Sequence, residues 1–258
     1  MVHRSPEALL EELGIAEPSE IDIEAIAYHC GAVVRYRHLD GCAARIIGRG
    51  DQAVISVETH TKRERQRFSI GHELGHWVRD RGKAVYLCQA ADLRSPWNNQ
   101  QNPESRANDY AANLLMPAFM FRSAAKGRPM TFETVGDLAE DFQTSQTATA
   151  IRLVQLGSYP AMVACYGMEG RRWYSAGPDI PYYLRPHREL SHDTDAFDLL
   201  FGKIGSTRSR LSDAASWIDH RSSDHYTVHE QSIRISDDAV LALIWWKDEA
   251  QLVDLMDY

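Results

Sequence analysis

Apolar residues in the first sixty positions have helical spacing at first and strand-like spacing afterwards. Residues 5–13 place apolar side chains on one helical face, and a second short helix is predicted from Asp22 to Gly31. Three apolar runs then predict strands, at residues 33–37, 43–47 and 53–57. Gly48–Asp51 has the composition of a hairpin turn between the last two runs. The pattern therefore predicts a small sheet next to two helices.

A long helix is predicted after this sheet. Thr61 and Glu64 have the spacing of a capping box at its start. No proline interrupts the polar run that follows until Arg81–Gly82, where a glycine at the C-cap is expected to end the helix. Gly71 and Gly75 each cost the helix about 1 kcal/mol of propensity. Glycines that are present despite this cost indicate that another backbone packs closely against the helix, or that a site on the helix must stay accessible.

The same helix carries the pattern His-Glu-x-x-His. His72 and His76 are four residues apart, so on a helix they lie on one face, one turn apart. Two neutral imidazoles in that relation can hold one zinc ion. Glu73 follows the first histidine, which brings its carboxylate beside the metal, where it can accept a proton from an activated water. Because such a pattern arises by chance in on the order of one chain in a hundred, a third ligand has to be found.

A second helix downstream offers this ligand. Asn102 is a suitable N-cap residue for this helix. Apolar residues with helical spacing follow Asn102, and Pro117 ends the helix. Glu104 and Asn108 lie four residues apart on one face of this helix. We interpret Glu104 as the third metal ligand and Asn108 as a hydrogen-bond partner of a ligating imidazole. The competing interpretation of Glu104 is a first-turn glutamate favoured by the helix dipole.

Three segments between Ile21 and Pro117 resemble the ImmA/IrrE-type metallopeptidases. They are residues 65–76, residues 104–117 and, more loosely, residues 21–27. Family members often carry an additional glutamate where this chain has Arg106, and its absence points to Glu104 as the ligand. The resemblance implies a zincin-like zinc peptidase, in which a sheet edge aligns the substrate. It also implies a substrate, a helix-turn-helix repressor whose cleavage releases genes for a stress response or for mobile-element transfer.

Composition indicates an ordinary globular protein. The chain has 258 residues, of which 44% are hydrophobic and 25% charged, enough apolar mass for a core. A formal net charge of −8 disfavours nucleic-acid binding, because attraction to phosphates requires a basic face, and it suits a basic protein partner. The start of the chain has no signal-peptide apolar region, its four cysteines are scattered, and its longest apolar run, Ala239–Trp246, is too short to span a bilayer. We therefore expect a cytoplasmic protein with reduced thiols and no membrane association.

The predicted secondary structure changes at residue 118 and again at Ala161. Residues 118–158 have the pattern of two helices joined by a tight turn, like a helix-turn-helix, but the second helix, Gln146–Arg152, has a single cation for phosphates. We favour a structural unit over a DNA-binding unit here. From Ala161 a hairpin, two helix-like segments and two strands are predicted. The predicted fold class is α+β, and its three domains are a zincin-like domain, a helical unit and a small antiparallel C-terminal domain with a regulatory or packing role, at residues 1–117, 118–158 and 159–258.

Other candidate ligands do not form a convincing site in the sequence. We interpret His29, His38 and His60 as ordinary surface or core histidines. His225 and His229 are four residues apart on a predicted strand, which separates them by about 13 Å. Cys88 is expected to be a plain core thiol.

The main hypothesis is therefore a zinc-dependent endopeptidase, with zinc bound by His72, His76 and Glu104 and with Glu73 as the general base. Manganese could occupy the same ligand set. The donor to the oxyanion is not evident from the sequence, and Tyr110 and Arg67 are only guesses. The alternative is a DNA-binding transcriptional regulator with a non-catalytic metal site. A scaffold protein with an inactive peptidase fold fits poorly with an intact glutamate in the motif.

Overall fold

A computed structural model describes residues 5–80, 102–202 and 207–256 of the chain. These residues have a mixed α+β architecture and group into two compact units. The first unit comprises Met1–Ser123 with Ala139–Ser145, and the second comprises Ala124–Leu138 with Gln146–Tyr258. The predicted α+β class is confirmed at this coarse level, whereas the division into three domains stays a prediction.

The first unit contains a three-stranded sheet. Its strands are β1 (Ala32–Arg37), β2 (Ala44–Arg49) and β3 (Gln52–Glu58). The central strand is β3, which pairs with β1 in parallel and with β2 antiparallel. All three predicted strands are confirmed, and the hairpin between β2 and β3 turns at Gly50–Asp51, where Gly50 has a positive φ of 60°.

Helices precede and follow this sheet in the sequence. They are α1 (Pro6–Glu12), α2 (Ile23–His29), α3 (Arg63–Asp80) and α4 (Pro103–Leu115). Asp22 caps α2 by accepting hydrogen bonds from two backbone N–H groups of its first turn. α3 begins one residue later than a cap at Thr61 would place it, and the hydroxyl of Thr61 donates to the carbonyl of Glu58. The expected end of α3 at Gly82 lies outside the described residues.

α3 is anchored to the sheet side of the unit by its long side chains. The indole N–H of Trp77 donates to the carbonyl of Cys30 at 2.9 Å, and the same ring lies against Gly48 of β2, where a Cβ would come within 2.3 Å of it. The guanidinium of Arg67, on the preceding turns, donates to the carbonyl of Ile21 at 3.1 Å. These contacts fix the position of α3, the helix that carries the His-Glu-x-x-His pattern.

α3 and α4 cross at very short range. A Cβ built on Gly71 would lie 3.2 Å from the Cβ of Ala111, and one built on Gly75 would lie 3.0 Å from the Cβ of Tyr110 and 3.2 Å from the Cα of Ala107. These separations are shorter than a comfortable carbon–carbon contact of about 3.5–4.0 Å. The two glycines are therefore needed for the two helices to approach each other, as the sequence indicated.

The end of β3 is held by one buried carboxylate. Glu58 accepts hydrogen bonds from the backbone N–H of Leu39 at 2.6 Å and of His60 at 2.9 Å. These bonds, that of His60 first, lower the pKa of Glu58 to about 2. Glu58 thereby ties the loop after β1 to the end of β3.

Three helices follow along the chain: α5 (Ala118–Ala125), α6 (Phe132–Phe142) and α7 (Gln146–Leu156). The last two are joined by a tight turn, as predicted, in which Gln143 adopts a positive φ of 52°. A left-handed residue at this position ends α6 and lets the chain reverse into α7.

The second unit is built on a five-stranded sheet. Its strands are β4 (Ala161–Gly167), β5 (Gly170–Ala176), β6 (Arg210–Asp213), β7 (Thr227–Ser236) and β8 (Ala239–Trp245). Their order is β5-β4-β8-β7-β6, and all neighbours are antiparallel. α8 (Asp195–Phe201) and α9 (Glu249–Met256) accompany this sheet, and the core is built around the buried aromatics Tyr166, Trp217 and Trp246. The second of the two helix-like segments predicted after Ala161 is a single 3-10 turn, Ala214–Ser216.

This second core encloses one carboxyl group. Glu230 of β7 is fully buried and contacts the guanidinium of Arg210. Burial raises its pKa to about 7, although Arg210 acts in the opposite direction. No helix in the described parts of the chain has the length and apolar character to cross a membrane.

Candidate metal centre

Two helices of the first unit supply the five residues singled out in the sequence. α3 carries His72, Glu73 and His76, all buried, and α4 carries Glu104 in its first turn and the fully buried Asn108 one turn later. Asn102 caps α4 by accepting a hydrogen bond from the N–H of residue 104 at 3.0 Å. The cap therefore fixes the turn from which the carboxylate projects.

Three side chains converge on one point. The Nε2 atom of His72 lies 3.1 Å from Nε2 of His76 and 3.1 Å from Oε2 of Glu104, and Nε2 of His76 lies 3.4 Å from the same oxygen. Ligands of a tetrahedral zinc ion, with bonds of about 2.0–2.1 Å, are about 3.3 Å apart. The structure thus brings together the three predicted ligands at the separation that a single ion requires.

The tautomer of His72 favours a cation at this point. Its Nδ1 lies 2.9 Å from the amide oxygen of Asn108, which only accepts hydrogen bonds. The proton of a neutral ring therefore resides on Nδ1, and the lone pair of Nε2 faces His76 and Glu104. A second imidazole nitrogen and a carboxylate oxygen share that space, and a metal ion satisfies all three donors at once. The donor set fits zinc, and the predicted place of Asn108 behind a ligating imidazole agrees with this geometry.

Glu104 is the most accessible member of the group. Its side chain is 23% exposed, against 0% for His72 and 2% for His76. Contact with the two imidazoles, first with His72, holds the pKa of Glu104 far below its usual range, although burial acts in the opposite direction. The carboxylate is therefore ionised, as a metal ligand must be.

Comparison with known proteins agrees with this geometry. Residues 30–154, which include both helices, match the family model of the M78 peptidases described as the IrrE N-terminal-like domain. The predicted resemblance to the ImmA/IrrE family is confirmed over these residues. Peptidases of this family are typically metal-dependent, so the converging histidines and glutamate occupy the part of the chain where a metal is expected.

Likeness to a solved structure extends over most of the chain. This chain resembles a solved structure described as a Mycobacterium tuberculosis transcriptional regulator, with a TM-score of 0.60 and 14% sequence identity. The likeness covers 92% of this chain and 73% of that chain. At this identity the likeness concerns the fold alone. No curated protein matches the sequence significantly.

One residue near the ImmA/IrrE-type centre was not anticipated from the sequence. Cys42, in the loop before β2, is partly buried. Burial is the main cause that raises the pKa of its thiol, and the carboxylates of Glu73 and Glu58 raise it further, while Arg45 lowers it. This coupling places the thiol within electrostatic reach of the motif glutamate. No local sequence pattern relates Cys42 to the site, because Cys42 is some thirty residues from the His-Glu-x-x-His motif.

The two guesses for an oxyanion donor have other contacts. The guanidinium of Arg67 holds α3 to the carbonyl of Ile21. Tyr110 packs with its Cβ against Gly75 at the helix crossing, and burial raises the pKa of its hydroxyl. Both side chains therefore have a packing role in the first unit, and the catalytic role of Glu73 stays a prediction.

Proposed function

We propose that this chain is a metal-dependent endopeptidase. The observation that carries the proposal is the convergence of His72, His76 and Glu104, with ligand atoms 3.1–3.4 Å apart. Glu73 follows His72 on α3. A set of three protein ligands leaves a position open, which is the arrangement of catalytic zinc sites rather than of structural ones. Zinc is the metal that this donor set suits, and manganese is also compatible with it.

The chemistry follows from the donor set and from the motif glutamate. A divalent ion held by the three side chains supplies Lewis-acid activation of water and of a peptide carbonyl. Glu73 is the neighbouring base, and we propose that its carboxylate takes the proton of the attacking water and delivers it to the leaving amide nitrogen. Asn108 holds the ring of His72 in the tautomer that binds metal through Nε2.

The exposed edge of β2 is the proposed place for the substrate backbone. In the described sheet β2 pairs with β3 on one side only, and α3 packs against both of these strands. An extended peptide that adds to this edge would receive main-chain hydrogen bonds from Ala44–Arg49. Its scissile bond would then lie close to the helix that carries Glu73.

The proposed substrate is a helix-turn-helix repressor, with a stress response or mobile-element transfer as the outcome. The family resemblance supports this proposal, and the net charge of −8 suits a basic, DNA-binding partner. A structural neighbour described as a transcriptional regulator also supports a connection to gene control.

Direct DNA binding with a non-catalytic metal site is the weaker alternative. The second helix of the predicted helix-turn-helix, α7, has Arg152 as its single cation, and this side chain is only 6% exposed. Attraction to DNA phosphates needs accessible cations on the recognition helix. α7 therefore does not have the surface that the alternative requires.

Cleavage of repressors encoded near this gene tests the proposal. Purified protein is incubated with each repressor, with and without a chelator, and fragments are identified by mass spectrometry. We expect cleavage that the chelator abolishes and that zinc restores. Glu73→Gln should retain bound metal and lose at least about 10²–10⁴-fold in cleavage rate, the usual contribution of a general base. Full cleavage by Glu73→Gln would disprove the assignment.

A further inference from the structure

A second group of metal-type ligands lies at the end of the first sheet. His38 follows β1, Glu58 ends β3, and His60 follows it two residues later. The Nδ1 atom of His38 lies 3.3 Å from Oε2 of Glu58, and the Nδ1 atom of His60 lies 3.0 Å from Oε1 of the same carboxylate. The ligand atoms of the three residues all lie within 4.8 Å of one another. These separations overlap with those of the His72 group and with the spacing of about 3.3 Å around zinc.

The carboxylate of this second group is already held in position. Glu58 is 8% exposed, and its two oxygens accept hydrogen bonds from the backbone N–H groups of Leu39 and His60. Oε1 also accepts a bond from the hydroxyl of Thr59 at 3.3 Å, whereas Leu39 is the one backbone donor to Oε2 among the described residues. A carboxylate oxygen has two lone pairs, so one lone pair of Oε2 remains for an ion. Ligating carboxylates are commonly supported in this way by donors outside the metal shell. The cluster therefore has an ordered anionic ligand rather than a mobile surface acid.

His38 also has the outer partner that metal-binding histidines usually have. Its Nε2 atom lies 3.2 Å from Oδ1 of Asp40, while its Nδ1 faces Glu58. A carboxylate on the far nitrogen is the outer hydrogen-bond partner of a histidine that binds metal through its near nitrogen. In the His72 group the amide oxygen of Asn108 has the same relation to the ring, with the two nitrogens exchanged.

We propose that His38, Glu58 and His60 form a second metal site, which takes a zinc-class divalent ion. The side chains of the two histidines are 66% and 78% exposed, so the ion exchanges freely with solvent and binds more weakly than at the buried centre. The site has the same types of ligand as the centre on α3 and α4 but is built from different segments of the chain. It lies at the end of the sheet from which the Cys42 loop leads into β2.

Metal stoichiometry tests this site without reference to activity. Untagged Glu73→Gln protein, chosen to prevent self-cleavage, is titrated with zinc against a chromophoric competitor. The same titration is run with His38→Ala and His60→Ala added singly and together. His225→Ala is the matched control, because His225 is also exposed and lies 3.7 Å from one carboxylate, that of Asp224, rather than in a group of three ligands. Circular dichroism verifies that each variant is folded.

The expected result is two zinc ions per chain, of which the weaker is lost in the His38 and His60 variants and kept in the His225 variant. A chain that binds only one ion at saturation would overturn the proposal, because the close contacts would then be ordinary hydrogen bonds between histidine and glutamate. Retention of the second ion in the double variant would overturn it as well. Loss of the tight ion instead of the weak one would contradict the assignment of the two sites.

Discussion

The crossing of α3 and α4 makes a quantitative prediction for Gly75→Ala. The new methyl group would lie 3.0 Å from the Cβ of Tyr110 and 3.2 Å from the Cα of Ala107. To reach an ordinary contact of about 3.5–4.0 Å, the helices must separate locally by about 0.5 Å. Because metal–ligand distances tolerate deviations of only about 0.2 Å, Glu104 on α4 would be drawn away from the histidines on α3.

The effect on stability has two opposing parts. Replacing a helical glycine by alanine gains about 1 kcal/mol of helix propensity, whereas overpacking costs about 1–3 kcal/mol. We expect Gly75→Ala to reduce the free energy of unfolding by about 0–2 kcal/mol, as the difference of these values. Gly136 of α6 is the matched control, since only Gln146 Nε2 approaches its hypothetical Cβ, at 4.0 Å. Gly136→Ala should therefore stabilise the protein by up to about 1 kcal/mol.

Urea unfolding followed by circular dichroism, with and without a chelator, measures both variants. Zinc affinity is measured in parallel by competition. We expect weaker zinc binding in Gly75→Ala and unchanged binding in Gly136→Ala. If the two variants were stabilised equally and bound zinc equally, the short approach of α3 to α4 would not exist, and the account of how Glu104 is positioned would be refuted.

Two further predictions concern single side chains. Asn108→Ala should weaken zinc binding by about 10–100-fold through loss of the bond to a ligating imidazole. Asn113→Ala, which removes a bond to a carbonyl of its own helix, should leave zinc binding unchanged. Glu230 has a pKa raised from 4.5 to about 7 by burial, so its contribution to stability is complete below pH 4.5 and is lost as the pH rises through about 7. Between about pH 4 and pH 9 this amounts to about 3 kcal/mol. Glu230→Gln should flatten that part of the pH profile of the unfolding free energy, and an unchanged profile would contradict the assignment.

The parts of the fold that the sequence predicted are those with local signals. Asp22 and Asn102 cap their helices through their own side chains, and Gly50 turns a hairpin that the flanking apolar runs announce. β6 was missed because its four residues, Arg210–Asp213, have no apolar alternation. This strand forms because it pairs with β7, and pairing between distant segments has no local pattern.

The residues of the candidate sites also divide into those with a local sequence signal and those without one. The spacing of His72 and His76 and the glycines between the helices are visible in the sequence, so the candidate ligands on α3 and α4 could be singled out before their side chains were seen to converge. His38 and His60 were interpreted as ordinary histidines, because they lie in different connections and only the register of β1 with β3 brings them to one carboxylate. Cys42 was missed for the same reason.

An ion at the buried centre would also act as a cross-link. His76 and Glu104 are 28 residues apart, so a metal that binds both closes a long loop and reduces the entropy of the unfolded chain, as a disulfide does. Metal starvation would then lower resistance to unfolding as well as stop the proposed peptidase activity. A cell short of zinc would accumulate less of this protein, not merely an idle form of it.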